Sequence, residues 1–265
     1  MALESAPDSN VLGDIRMLQS VTTALEVFEI VAECQPIGVS EITRRIRVTK
    51  STVQRCLMTL HAAGWIRPEG EHSTKWVITA KSFSLGRHVA DSGRLRDAVL
   101  PVMERLRDTT HESIHLVIAE GREAVLLERV DSTLAIRTFI PLGARAPLHA
   151  TANGKAILAY WGEQAVNGYL EPGLESLTDR TLRDPGQLRE ELALIRSRGW
   201  SMAVDELADG ASAVAAPILD QPGKAVASIS ISCPTIRFSE SVRENYAELI
   251  LDASAVARRQ MLGMH

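Results

Sequence analysis

The chain has 265 residues, 45% hydrophobic and 23% charged, with a net charge of −4; these are globular values, with room for one large domain or two ordinary ones. A mean hydropathy near zero, the lack of any apolar run long enough to span a bilayer, and a first stretch, MALESAPDSNVLGDIR, without the cationic start and apolar segment of an export signal all point to a cytoplasmic protein with no membrane partner. Cys34, Cys56 and Cys233 lie far apart with no CxxC, so neither a disulfide framework nor zinc-finger spacing is present.

Residues 1–19 read as an N-terminal extension. From Val21 the apolar residues recur at 21, 24, 25, 28, 31 and 32, the pattern of a helix with a broad buried stripe, with Ser20 in position to cap it and Pro36–Gly38 to break it. Ser40 is then placed to cap a second helix that turns Ile42 and Ile46 inward and Arg44 and Arg45 outward. Thr49 is the expected cap of a third, which runs to Ala63 and stops at Gly64. On that helix Val53, Cys56, Leu57 and Leu60 share one face, and Lys50, Ser51, Thr52, Gln54 and Arg55 another. Residues 65–68 and 74–78, joined by the polar turn 69–73, read as a β-hairpin.

Three helices followed by a hairpin make a winged helix-turn-helix, assigned here to residues 20–81. From Pro36 to Lys81 eight cations face three acids, a local charge of +5 against −9 for the remainder, which marks a basic module on an acidic body. A helix with one apolar face and one short, donor-rich, cationic face suits the major groove of double-stranded DNA. Ser51, Thr52, Gln54 and Arg55 are placed to reach base edges, while Arg44, Arg45 and Lys50 fall nearer phosphates. His72 and Lys75 on the wing supply further backbone or minor-groove contacts.

Residues 82–93 form an expected linker helix with a break near Ser92–Gly93, and the body extends over 94–265. Strands are expected at 114–121 and 122–131, and a third at LAIRTFIPLG, 134–143; the loop around His149–Asn153 then feeds a helix beginning near Gly154. DPGQLREELALIRSRGW is a helix with Asp184 as cap, Pro185 in the first turn and Gly199 as stop. Strands follow at 200–205, 212–220 and 224–232, the last two joined by the Gln221–Gly223 turn, and a closing amphipathic helix starts at Ser239 or Ser241, where Ser241–Glu244 offers a capping box. Several strands with interspersed helices and tight hairpins indicate a mixed α/β (α+β) class with a mainly antiparallel sheet. In ASISISC, Ser228, Ser230 and Ser232 share one strand face, which either meets water or lines a polar cavity suited to a small carboxylate or hydroxylated ligand.

His111–Glu112–Ser113–Ile114–His115 matches the H-E-x-x-H zinc-enzyme pattern, the basis of an alternative reading as a metal-dependent or other hydrolase. That chemistry requires both histidines on one helix face and a third ligand, whereas this segment sits where a helix ends and a strand begins, so no metal or other cofactor is expected. Gly154–Lys155 lacks the remainder of a P-loop, and no GxSxG or GxGxxG occurs. His149 reads as a structural histidine at a loop–helix junction or a pocket residue, and Asp205 as either a ligand-orienting acid or a hydrogen-bonding partner of its own loop. A body that is only a dimerisation scaffold, without ligand, is the third alternative.

The chain as a whole resembles the IclR family of bacterial transcriptional regulators, from Ser20 to the end. The resemblance is carried by TKSTVQRCLMTLHAAGWI, PLHATANGKAIL, LRDPGQLREELALIRSRGW with the Asp205–Gly210 loop and VAAPILD, and ASISISCPTIRF, in that order. It implies a winged-helix domain joined by a helix to a GAF-like effector domain, in homodimers or homotetramers on palindromic operators, with repression commoner than activation and no catalysis. It further implies a small organic-acid or aromatic effector held by residues matching Ala152, Asn153, Asp205, Ala213, Ser230 and Ser232. Ala213 stands where many members carry a cysteine, and Asn153 where a small apolar residue is common.

Overall fold

The computed structural model describes residues 18–70, 73–86 and 90–263, with side chains from 95 onward in the last segment. The chain divides into two units, 1–89 and 90–265. The first begins with α1 (Gln19–Cys34), β1 (Ile37–Gly38), α2 (Val39–Arg45) and α3 (Lys50–Ala62), followed by β2 (Ile66–Pro68), β3 (Lys75–Ile78) and α4 (Lys81–Gly86). Its core is closed by Val27 and Val31 of α1, Ile37, Ile42 of α2, and Val53, Cys56, Leu57 and Leu60 of α3, with Ile66 of the hairpin. The expected β2–β3 hairpin is present, and β1 adds a third antiparallel strand through Ile37 opposite Trp76.

Local chemistry explains where these elements start and stop. The Thr49 hydroxyl accepts from the Thr52 N–H at 3.2 Å, which caps α3, and Gly64 takes the left-handed φ of +77° needed beyond its end. Two other expected caps do not form. Helix α1 starts two residues earlier than a Ser20 cap requires, with Leu18 in the cap position and no side-chain cap bond, so Ser20 lies inside the first turn. Helix α2 leaves directly from β1, whose extended Gly38 occupies the cap position, so Ser40 is helical. The buried stripe of α1 is also rotated from expectation: Thr23, Val27 and Val31 are buried, whereas Val21 and Leu25 are exposed.

The second unit contains α5 (Ala90–Thr110), β4 (Ser113–Glu120), β5 (Glu123–Val130), β6 (Arg145–Pro147), α6 (Ala152–Leu158), α7 (Glu163–Leu170), α8 (Pro185–Arg198), β7 (Ser201–Val204), β8 (Ala211–Leu219), β9 (Ala225–Pro234) and α9 (Glu240–Met261). Six strands form one antiparallel sheet in the order β6-β5-β4-β9-β8-β7. Alternation of side chains gives the sheet two different faces. Ile114, Leu116, Ile229 and Ile231 pack against Val99 and Met103 of α5 and Ile250 and Ala257 of α9. On the opposite face Val117 and Leu126 meet Leu158 of α6, Tyr169 of α7 and Leu188 and Ile195 of α8. The unit is thus a helix–sheet–helix sandwich.

Three expectations are corrected here. Helix α5 runs unbroken through Ser92–Gly93: one helical glycine costs only about 1 kcal/mol, which Leu95, Val99, Met103 and Leu106 outweigh by burial. Residues 134–143 are not a strand, because residues 143–147 already occupy the outer edge of β5 and leave Leu134, Ile136, Phe139 and Leu142 exposed. Helix α6 begins at Ala152, with the Thr151 hydroxyl accepting from the Gly154 N–H at 2.9 Å, two residues before the expected start. The later caps are as expected at Asp184, which accepts from Gln187 N–H at 2.8 Å, and at Gly199, φ +83°. Of the two candidate starts for α9, Ser239 is used, accepting from the Val242 N–H, and Ser241–Glu244 lies within the helix.

Candidate functional site

In the first unit, the apolar positions of α3 are consumed by the core, so the opposite face is left to solvent. Lys50, Ser51, Gln54 and Arg55 are exposed there, and Ser51, Gln54 and Arg55 line a shallow groove with Met58 and Thr59. Thr52 is half-buried, its hydroxyl 2.9 Å from that of Thr49, so the same side chain serves the cap network. Arg44 and Arg45 are exposed on α2, Arg45 reaching Glu41 at 3.4 Å one turn away, a solvent-screened pair that leaves the guanidinium available. Lys75 is exposed on the wing, and His72 lies outside the described residues.

In the second unit, α6 packs on the sheet through small side chains. Ala152 and Ala156 pack on Ala203 and Ala215, small side chains that permit the approach. At Gly154 a Cβ would stand 2.2 Å from the Leu148 carbonyl oxygen, so only glycine fits. The Ser201 hydroxyl donates to the Ala152 carbonyl at 2.6 Å and fixes the start of the helix on β7. Between the helix start, the sheet and the segments 138–140 and 207–208 lies a cavity of about 340 Å³. Its walls are mostly apolar, from Val117, Leu126, Ile140 and Leu207 among others.

The floor is polar. Ser230 and Ser232 of β9 are buried, as is Asn153 of α6. The Asn153 amide donates to Ser230 Oγ at 2.8 Å, while the Ser228 hydroxyl donates to Asn153 Oδ1 at 2.9 Å. Ser232 Oγ and Thr138 Oγ1 are 3.0 Å apart. The serine face of β9 is therefore the polar cavity wall, not an exposed sheet surface. An apolar chamber with convergent hydroxyls at one end is the arrangement of a small-molecule site.

A family model described as "Bacterial transcriptional regulator IclR C-terminal" matches residues 87–258, and another described as "IclR helix-turn-helix domain" matches residues 20–70. The chain belongs to the IclR family. It is 34% identical over 251 residues to the HTH-type transcriptional regulator KdgR of Escherichia coli (strain K12), covering 93% of this chain and 94% of the relative. To the transcriptional repressor IclR of the same organism it is 31% identical over 241 residues, 89% of this chain and 88% of the relative. Its fold matches the crystal structure of an IclR homologue complexed with 4-hydroxybenzoate from Microbacterium hydrocarbonoxydans, with a TM-score of 0.80 at 24% identity over 92% of this chain and 100% of that one. The protein is thus an HTH-type, DNA-binding transcriptional regulator and not an enzyme.

For this IclR-family regulator the cavity brings together Ala152, Asn153, Ala213, Ser230 and Ser232 from α6, β8 and β9. Asp205 stands apart from them. It adopts a left-handed φ of +58°, and its Oδ1 accepts from the Gly210 N–H at 2.8 Å and the Thr235 hydroxyl at 2.6 Å, closing its own loop. His149 is structural in its bonding: its Nε2–H donates to the Glu175 carbonyl at 2.8 Å, and its Nδ1 receives the Tyr169 hydroxyl at 2.8 Å. Burial holds its pKa below the usual histidine value, in keeping with a neutral ring.

The H-E-x-x-H segment has no helical geometry. Helix α5 ends at Thr110, His111 takes a φ of +61°, and β4 starts at Ser113. Glu112 is occupied by Arg237 through two 2.7 Å bonds. No cluster of three metal-ligating side chains occurs among the described residues. Two features of the site escaped sequence reasoning. Lys155, 1% exposed, places its ammonium 2.7 Å from both carboxylate oxygens of Glu206 and ties α6 to the 205–210 loop. His115, 3% exposed, lines the cavity. Its place within the strand expected at 114–121 was the available signal, masked by the zinc-like motif around it.

Proposed function

We propose that this regulator is a repressor whose hold on palindromic operator DNA is controlled by a small organic acid or aromatic effector bound in the cavity of the second unit. The observation that carries the reading is the cavity itself, apolar-walled with the Asn153–Ser230–Ser232 floor. The sign of regulation follows the E. coli relative named a transcriptional repressor. The DNA surface is the exposed face of α3: Ser51, Thr52, Gln54 and Arg55 read base edges, while Arg44, Arg45 and Lys50, with His72 and Lys75 from the wing, hold phosphates. A homodimer or homotetramer presents two such helices to half-sites. Residues 20–81 form the DNA-binding domain, 82–93 the linker and 94–265 the effector and assembly domain, all acting in the cytoplasm. No helix among the described residues is long and apolar enough to cross a membrane.

Gel-shift titration on the chain's own upstream DNA tests the first half. Arg55→Ala or Gln54→Ala costs about 1–3 kcal/mol and relaxes base preference, whereas Lys50→Ala weakens every sequence alike and lowers the salt slope by about one. Unchanged affinity in Arg55→Ala removes that residue from the interface. A thermal-shift panel of organic and aromatic acids tests the second half. Any hit that also changes operator affinity supports effector control; hits without effect on DNA binding argue against it.

A further inference from the structure

Helix α3 enters its core through Val53, Cys56, Leu57 and Leu60. Its outer face therefore runs through Ser51, Gln54, Arg55, Met58 and Thr59, at the i, i+3, i+4, i+7 and i+8 spacing of one helical stripe. All five are exposed and border one shallow groove. The stripe changes character along its length. Its first turns carry a hydroxyl, an amide and a guanidinium, whereas its far end carries Met58, 53% exposed. Met58 stands outside the hydrophobic cluster of its unit, so packing within the unit does not account for it. Beside it, the Thr59 hydroxyl donates to the Arg55 carbonyl at 2.9 Å and so keeps its proton within the helix. The end of the stripe thus offers an apolar contact more than a hydrogen bond.

We propose that Met58 is a further specificity-determining residue of the DNA surface, packing on the 5-methyl group of a thymine in the major groove. This rests on the DNA reading proposed above. A helix lying along that groove presents its i, i+3, i+4 and i+7 positions to base edges, and Met58 is the i+7 position counted from Ser51. The base edges there offer hydrogen-bonding groups, and the thymine methyl is the apolar feature among them. A methionine, unbranched and adaptable, covers such a methyl and leaves water together with it. The surroundings favour DNA over an apolar protein partner: Arg44, Arg45 and Lys50 are exposed on the same pair of helices, a charge match to flanking phosphates. Gln54 and Arg55 then specify bases by hydrogen bonds, and Met58 specifies a thymine next to them by its methyl alone.

Gel-shift titration of the full chain tests this on its own upstream DNA, made once with thymine and once with uracil at every thymine position. The exchange removes the 5-methyl groups and keeps every hydrogen-bonding edge. Wild type binds the thymine DNA more tightly, by roughly fourfold for each methyl buried, the equivalent of one CH2 group. Met58→Gln, polar and of similar length, loses most of that preference, and Met58→Leu, which keeps an apolar end, retains it. Any effect of uracil on duplex shape is common to wild type and variants, so it cancels in the comparison. Met58 is exposed, so neither variant disturbs the core, and circular dichroism verifies the fold. A thymine preference equal in wild type and Met58→Gln overturns the role of Met58, as does a wild type without preference; both leave DNA binding by α3 intact. Failure of wild type to bind the thymine DNA overturns the DNA reading and this inference with it.

Discussion

Gly154 has no room for a side chain, because the Leu148 backbone fills the position a Cβ would take. Gly154→Ala must lift α6 from the 3-10 turn Leu148–Ala150 before it, an overpacking cost of about 1–3 kcal/mol or more. Urea denaturation should show the loss, and any effector identified should bind more weakly, since Ala152 and Asn153 ride on the same turn. At His115 the consequence is a pH dependence. An unfolded histidine titrates near 6.5 and the folded ring near 4. Between those values the unfolded chain holds a proton that the folded chain lacks. Stability is therefore full above about pH 6.5 and falls as pH drops toward 4, by about 3 kcal/mol in all. His149 shifts in the same direction, so the informative measurement is the difference between wild type and His115→Phe across pH 4–7. A difference that stays flat would mean that the imidazole is not held neutral by burial.

The elements around the cavity are held less by propensity than by tertiary bonds. Helix α6 has only seven residues, too short to stand alone. It is placed by the alanine contact, the Ser201 bond and the buried Lys155–Glu206 pair, while Thr178 and Thr181 donate to the Asp205 and Glu206 carbonyls at 2.6 Å. Removing one partner of such a pair leaves the other charge stranded: Lys155→Met should cost about 3–5 kcal/mol, and adding Glu206→Leu should recover most of it. A thermal double-mutant cycle reads this, and near-additive losses would deny the coupling. The same contrast explains what the sequence disclosed. Helices α3 and α8 were legible because Thr49, Asp184, Gly64 and Gly199 act within one turn of their own residue. Segment 134–143 was misread because its alternating apolar residues mimic a strand, while the edge it would need belongs to residues 143–147. Ser230, Ser232 and Asn153 were legible as a polar strand face and an odd amide. The pairing of Lys155 with Glu206, 51 residues apart, and the bare Nε2 of His115 depend on what the fold brings beside them, which no local pattern records.

Across the whole molecule, each unit closes its own core, Val27 to Ile66 in the first and the two faces of the six-stranded sheet in the second. The proposed ligands are divided likewise, DNA on the first and effector in the second. Heat scanning of the full chain should then resolve which transition each ligand raises, a gain of about 2.7 kcal/mol at a hundredfold excess over Kd for the unit that binds. Regulation demands more than two independent gains. If the effector weakens operator binding by some factor, operator DNA must weaken effector binding by the same factor, typically about 5–150-fold. Measuring effector Kd by calorimetry with and without saturating operator, and operator Kd by gel shift with and without effector, gives the two factors separately. Equal factors well above one establish that the cavity and the α3 face are linked through the chain. Two factors of one, with both ligands bound, would make the second unit a binding module that does not govern the first, and the proposed effector control would fall while DNA binding stood.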